Sequence, residues 1–227
     1  MKGKERVETY IPVDSMVSVL IRNHNEQEHI GFAIQSVLDF IPDAEIIVID
    51  DNSTDDSLEV VRLFNNRGDI SIHKIENYSP GRALNFGINL SKNDTVLILS
   101  AHAQITELDI TRVEELLTGY VAVLGKQVPI FRGKKITPRY IWSHFSDIEQ
   151  INMFSKLENR FFLHNAFCFY RRDYLLTNPI DETLPGKEDR YYAADIVNKS
   201  KKSYIYIPSI KANHFYTKNG ATWRGIG

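Results

Sequence analysis

In its first half the chain alternates short, β-branched apolar runs with stretches whose apolar residues recur every three or four positions, and few folds accept that alternation. VSVLI (17–21), EIIVI (45–49) and TVLIL (95–99) are continuous apolar runs of strand length. Such runs suit strands covered on both faces, as in a parallel sheet. Between them Ile30, Ala33, Ile34, Val37 and Leu38 share one helical face, and Leu58, Val61 and Phe64 share another. The expected fold class is α/β, with a mostly parallel central sheet flanked by helices. Asn25, with Glu28 three residues on, is expected to cap the first helix, Pro42 to end it, and Ser53 to cap the second. Ser79-Pro80 predicts a third helix start, since proline at the first helical position forfeits no hydrogen bond. Residues 70–75 form a further strand candidate. Beyond Ser100 the pattern loosens. We expect a helix carrying Val113, Leu116 and Leu117, a strand over 121–124, substrate-facing loops over 126–160, extended chain over 161–170, a helix over 188–197 and a late strand over 204–207.

At 227 residues and 43% hydrophobic content, the chain can bury one substantial core, so one domain over 1–227 is expected. Lys plus Arg (27) nearly balances Asp plus Glu (29), which argues against a nucleic-acid partner. Cys168 is the only cysteine, which excludes a disulfide framework and a cysteine-based zinc site. No apolar run approaches the ~20 residues needed to cross a bilayer, and MKGKERVETY is polar. We therefore expect a cytoplasmic protein without a transmembrane segment, with peripheral contact at the inner face of the membrane left open.

Parallel α/β sheets bind ligands at the carboxyl ends of their strands. The residues there are Arg22-Asn23-His24-Asn25-Glu26, then Asp50-Asp51-Asn52-Ser53, then Ser100-Ala101-His102. A carboxylate only accepts hydrogen bonds, so Asp50 and Asp51 suit ring N–H and ribose hydroxyl donors, although acids there also favour a helix start. In SPGRALNFGI, Gly81 and Ala83 allow close approach, and Arg82 offers a planar fork for a diphosphate or simply a charged surface. Glu188-Asp189 reads either as an acidic first helical turn or as a catalytic pair.

Taken in order, VSVLIRNHNE, EIIVIDDNSTDDS, SPGRALNFGI, FLHNAFCFYRRDYL and PIDETLPGKEDRYYAADIV resemble the family 2 inverting glycosyltransferases of bacterial surface-polysaccharide type, over residues 17–207. The resemblance implies a GT-A (Rossmann-like) domain, with 17–105 binding a nucleotide sugar and 106–227 forming the acceptor half and a basic tail. It implies a donor, a UDP-sugar, contacted by Arg22, His24, Glu26, Asp50, Asp51, Gly81, Arg82, Ser100 and Ala101, with Asp51 on the uracil. It also implies Asp189 as general base, beside Glu188, for a hydroxyl of a glycan or lipid-linked glycan acceptor. Asp181 and Glu182 compete for that role, while His164, Asn165, Trp142, Trp223 and Tyr191 are candidates for the acceptor cleft. The family's Asp-x-Asp, which holds a divalent cation, is here Ser100-Ala101-His102. His102 and His214 are the ligands expected for Mn²⁺ or Mg²⁺; the alternative is a metal-free site neutralised by Lys211, Lys218 or Arg224. Two other functions stay open: a non-catalytic nucleotide-sugar-binding or partner subunit, and a sugar-phosphate nucleotidylyltransferase, which lacks support because no glycine-rich loop follows the first strand.

Overall fold

The computed structural model describes residues 16–131, 134–135 and 142–218; Trp223 and Arg224 lie outside them. The first half reads β1 (Val17–Asn23), α1 (Ile30–Phe40), β2 (Glu45–Asp50), α2 (Ser57–Arg62), β3 (Asp69–Lys74), α3 (Pro80–Leu90), β4 (Thr95–Ser100). There follow β5 (Ala103–Glu107), α4 (Ile110–Leu117), β6 (Ala122–Phe131) and the short strands β7 (Lys134–Lys135), β8 (Gln150–Ile151), β9 (Phe154–Ser155) and β10 (Arg160–Phe161). The described chain closes with β11 (Phe167–Arg171), α5 (Arg172–Thr177), α6 (Glu188–Ala194) and β12 (Tyr204–Phe215).

The main sheet runs β3-β2-β1-β4-β11-β6-β12-β5. Its first four strands are parallel. β11 is antiparallel to both neighbours, while β12 runs parallel to β6 and antiparallel to β5. The sheet is thus mixed and mostly parallel, as expected. Successive side chains of the central strands enter opposite faces. Leu20, Ile47, Ile49, Val96 and Ile98 pack under α3, α5 and α6; Val19, Ile21, Ile46, Val48, Leu97 and Leu99 pack under α1, α2 and α4. Both faces are covered, which is why these strands carry no polar alternation. α3 sits so close that a Cβ on Gly87 would lie 2.6 Å from the Ile49 side chain. No helix among the described residues is long and apolar enough to cross a membrane.

Three local expectations need correcting. Asn25 does not cap α1. It adopts a left-handed φ of 55°, and its Oδ1 accepts from the Thr54 and Asp55 backbone N–H groups at 2.7 and 3.2 Å. Ser53 does not cap α2, because its hydroxyl donates back to Asp50. The late strand is far longer than 204–207. A register shift between Ile207 and Lys211, where Pro208 offers no N–H, lets β12 continue to Phe215. That extension pairs with β5, a strand absent from the sequence reading, and sets His214 opposite Ala103.

Candidate functional site

The parallel register aligns the strand ends. Arg22 of β1 lies opposite Ser100 of β4, and Asn23 opposite Asp50 of β2. Strand order reverses here, with β2 and β3 on one side of β1 and β4 on the other, the position where such sheets open a crevice.

At this edge the first acidic pair divides. Asp50 is fully buried: its Oδ1 accepts from Asn23 Nδ2 at 2.9 Å and Ser53 Oγ at 2.6 Å, and its Oδ2 from the Ser53 N–H at 3.2 Å. Asn23 Nδ2 also reaches Ser57 Oγ at 2.9 Å. Asp50 therefore organises the loop from beneath. Asp51 remains 26% exposed in its side chain, held by its backbone: its N–H donates to Asn23 O at 2.9 Å, and its carbonyl accepts from His24 Nδ1 at 2.6 Å.

The end of β4 is also divided. Ala101 is buried, whereas Ser100 is half-buried with its hydroxyl 3.1 Å from His102 Nε2. His102 Nδ1 lies 2.9 Å from Glu26 Oε1, and the His102 ring sits 4.8 Å from that of His214. Burial favours protonation of Glu26, but the hydrogen bonds from His102 and His29 outweigh it and hold the carboxyl down at about 2. His214 is buried, with Nδ1 3.0 Å from Gln127 Oε1. Burial, then the neighbouring His102 and His164, push its value well below that of an ordinary imidazole, so it is neutral. Neutral imidazoles are the ligand-competent form. The His102 and His214 rings, tilted 45° to each other, lie close enough to share a cation whose remaining ligands come from a donor. Among the described residues, no group of three or more His, Cys, Asp or Glu side chains is arranged to hold a metal by itself.

α3 serves the site indirectly. A Cβ on Gly81 would lie 2.3 Å from the Asp181 carbonyl oxygen, so the glycine admits residues 181–182 against the helix start. Ser79 Oγ caps α3 by accepting from the Arg82 N–H at 3.2 Å and donates to Glu182 O at 2.7 Å. Asn85 Nδ2 donates to Ile180 O at 2.8 Å and Glu182 Oε1 at 2.9 Å, while its Oδ1 accepts from the Ile180 N–H at 3.0 Å. Arg82 Nε donates to Glu182 Oε2 at 3.3 Å. Gly81, Arg82 and Glu182 thus clamp the segment that leads into α6, and Asp181 closes its own turn on Thr183.

That segment delivers Glu188 and Asp189, after Lys187 turns the chain at a left-handed φ of 63°. Glu188 is buried, and its Oε1 accepts from Arg22 Nη1 at 3.0 Å, tying α6 to the end of β1 across 166 residues. Burial works against the Arg22 charge, and Glu188 outweighs it. Asp189 Oδ1 accepts from the Arg190 N–H at 2.8 Å. Burial, then the Glu188 charge, raise the Asp189 carboxyl to about 7. Glu158 joins Arg160 and Arg190, bracing the β9–β10 hairpin against α6.

The remaining sequence candidates divide between the surroundings of His214 and the surface. Trp142 is buried, edge-on to His214 at 5.0 Å. Asn165 is buried, accepting from Tyr170 Oη at 2.6 Å. Burial drives the His164 imidazole down to about 3. Tyr191, 57% exposed, presents an open ring on α6. Lys211 pairs with Glu107 on the β12–β5 edge at 2.6 Å, and Lys218 is exposed. Gln127 and Glu158 were not anticipated, and Asn23 was named only among the residues that end the first strand. The sequence does flag Asn85, through its Asn-x-Gly spacing to Gly87.

A sheet with this strand order, acids at its carboxyl edge and a second acid pair brought in from a later helix defines the GT-A class of nucleotide-sugar enzymes. Its architecture matches that of Staphylococcus aureus TarS residues 1–349 in complex with UDP-GlcNAc, with a TM-score of 0.69 at 16% identity over 93% of this chain and 62% of that one. It also matches GalNAc-T7 with UDP, GalNAc and Mn²⁺, with a TM-score of 0.67 at 15% identity over 90% of this chain and 44% of that one. The glycosyl transferase family 2 model matches residues 18–177, and the chain belongs to that family. It is 26% identical to the minor teichoic acid biosynthesis protein GgaA of Bacillus subtilis (strain 168) over 89% of this chain and 47% of that protein. It is 32% identical to the poly-beta-1,6-N-acetyl-D-glucosamine synthase of Staphylococcus epidermidis over 40% of this chain and 23% of that protein. The chain spans about half the length of the first of these relatives, and less of the second.

Proposed function

We propose that the chain transfers a sugar, with inversion, from a UDP-sugar to a hydroxyl of a glycan or lipid-linked glycan in surface-polymer biosynthesis. The ion pair between Arg22 and Glu188 carries the reading, because it joins the late acid pair to the strand end where a nucleotide would lie. The teichoic acid role named for GgaA and the UDP-GlcNAc bound to TarS support the substrate classes. In this reading one domain has two halves: residues 17–105 hold the donor, with Asp51 accepting from the uracil and Ser100 and His24 bordering it. Residues 106–227 hold the acceptor, with Tyr191 as a flat face beside it.

Asp189 takes the acceptor proton while the hydroxyl oxygen bonds to the anomeric carbon and the bond to the diphosphate breaks on the opposite face. A carboxyl raised to about 7 is a competent base near neutral pH. His102 and His214 would hold Mn²⁺ or Mg²⁺ beside the diphosphate. When bound, such a cation supplies neutralisation of the leaving group's charge. The test is UDP release from a panel of UDP-sugars with acceptor, in wild type and Asp189→Ala, with the product's anomeric configuration read by NMR. Transfer that survives Asp189→Ala, or a product of retained configuration, refutes the proposal; UDP binding without transfer would point to a non-catalytic subunit.

A further inference from the structure

We infer that Glu26 and Gln127 are positioning residues that lock His102 and His214 in the Nδ1–H tautomer, so that each turns an Nε2 lone pair toward the cation. The inference rests on the proposal that these histidines are the ligands, and it assigns roles to two residues behind them.

Each tautomer follows from its partner. An ionised carboxylate can only accept, so the 2.9 Å contact between His102 Nδ1 and Glu26 Oε1 requires the proton on Nδ1. Nε2 is then the ring atom left to a cation, whose binding displaces any proton there. Gln127 could face His214 with either end of its amide, but its Nε2 donates to His164 O at 3.4 Å, which turns Oε1 to His214. The 3.0 Å contact from Oε1 to His214 Nδ1 therefore also fixes a proton on Nδ1. Glu26 and Gln127 are 7% and 2% exposed, so neither swings freely. Both enforce the same tautomer on rings 4.8 Å apart.

This arrangement also accounts for the missing acids at the end of β4. A carboxylate hydrogen-bonded to a ligating histidine raises that ligand's basicity and fixes its orientation. Ser100 and His102 bring no carboxylate to the donor, and Glu26 returns one negative charge from behind the imidazole. The two halves of the pair differ in kind: Glu26 contributes charge and tautomer, Gln127 tautomer alone.

The test uses the full chain with ¹⁵N-labelled histidine. In the metal-free wild type, long-range ¹H–¹⁵N spectra should show both rings as Nδ1–H. Glu26→Ala should release His102 alone into a mixture of tautomers, and Gln127→Leu should release His214 alone. Mn²⁺ titration followed by electron paramagnetic resonance, with UDP present, should show affinity about 10- to 100-fold weaker in Glu26→Gln and in Gln127→Leu. Wild-type His102 or His214 found as Nε2–H overturns the inference, even if a variant fails to fold. So does unchanged Mn²⁺ affinity in Glu26→Gln and Gln127→Leu when His102→Ala has lost it. Unchanged affinity in His102→Ala defeats the ligand reading itself, and the inference falls with it.

Discussion

Two acid pairs, Asp50-Asp51 after β2 and Glu188-Asp189 opening α6, look alike in sequence and are treated alike by the fold, up to a point. In each, one carboxylate is drawn inside and used to build, Asp50 by Asn23 and Ser53, Glu188 by Arg22. In each, the other is left less buried. They part in their surroundings. Around Asp51 the backbone of the loop does the holding, with the side chain partly open to water, an arrangement fitted to recognition. Around Asp189, burial and an adjacent like charge lift the carboxyl to about 7, fitting it to proton transfer. In the proposed reading, like residues serve for recognition in one place and as base in the other, because burial and an adjacent charge act on Asp189.

The largest expected effect separates these roles. Asp189→Asn keeps volume and removes the base, so turnover should fall by about 10²- to 10⁴-fold while UDP affinity by calorimetry stays near wild type. Asp51→Ala should do the reverse. Losing a hydrogen bond to a charged acceptor costs about 1.5–3 kcal/mol, so UDP should bind roughly 10- to 100-fold more weakly, with turnover at saturating donor largely kept. If both substitutions lower turnover alone, the contrast is wrong.

Legibility follows the same division. The central strands could be read because burial on both faces demands unbroken apolar runs, and α3 because Ser79-Pro80 is a local signal that the fold obeys. Asn25 and Ser53 were misread because their local capping potential lost to other partners, Thr54 and Asp55 in the next strand-end loop for one and Asp50 three residues back for the other. β5 escaped because Ala103-Gln104-Ile105-Thr106-Glu107 has too little apolar character to declare itself. Its partner is the extension of β12 past Pro208, which a sequence reader would take as a break. The strand ends and both acid pairs were visible as candidates. That Asp50 and Glu188 would turn inward was not, since Asn23 lies 27 residues from Asp50 and Arg22 lies 166 from Glu188. Gly81 was read as allowing close approach, and what its missing Cβ admits is the Asp181 backbone.

A pH profile sharpens the comparison next. Below about 7 Asp189 is increasingly protonated, so kcat/KM should fall toward tenfold per pH unit and level off above that value. The sign for stability is opposite. A carboxyl whose value is raised by folding binds its proton more tightly in the folded chain. It therefore stabilises the fold fully below the unfolded value of about 4, and this contribution is lost as pH climbs through about 7. Asp189→Asn should abolish the activity step and flatten the melting temperature across that window. A wild-type profile with no inflection between pH 5 and 8 on roughly that scale would remove the base assignment.

The smallest effect expected on chemistry, though not on the fold, belongs to Asp50. In Asp50→Asn the Asn23 Nδ2 and Ser53 Oγ donors can still use the remaining oxygen, but an amide nitrogen then faces the Ser53 N–H that Oδ2 had accepted. Two donors facing each other in a buried site leave one unsatisfied, at a cost of about 1–3 kcal/mol. For a chain of this size that is a fall in melting temperature of roughly 2–4 °C per kcal/mol. Because Asp51 hangs from Asn23 O by its own N–H, loosening this loop should also weaken UDP binding, but by less than Asp51→Ala does. An Asp50→Asn protein that melts like wild type yet binds UDP as poorly as Asp51→Ala would reverse the assignment, making the buried acid the recognition group and the exposed one its support.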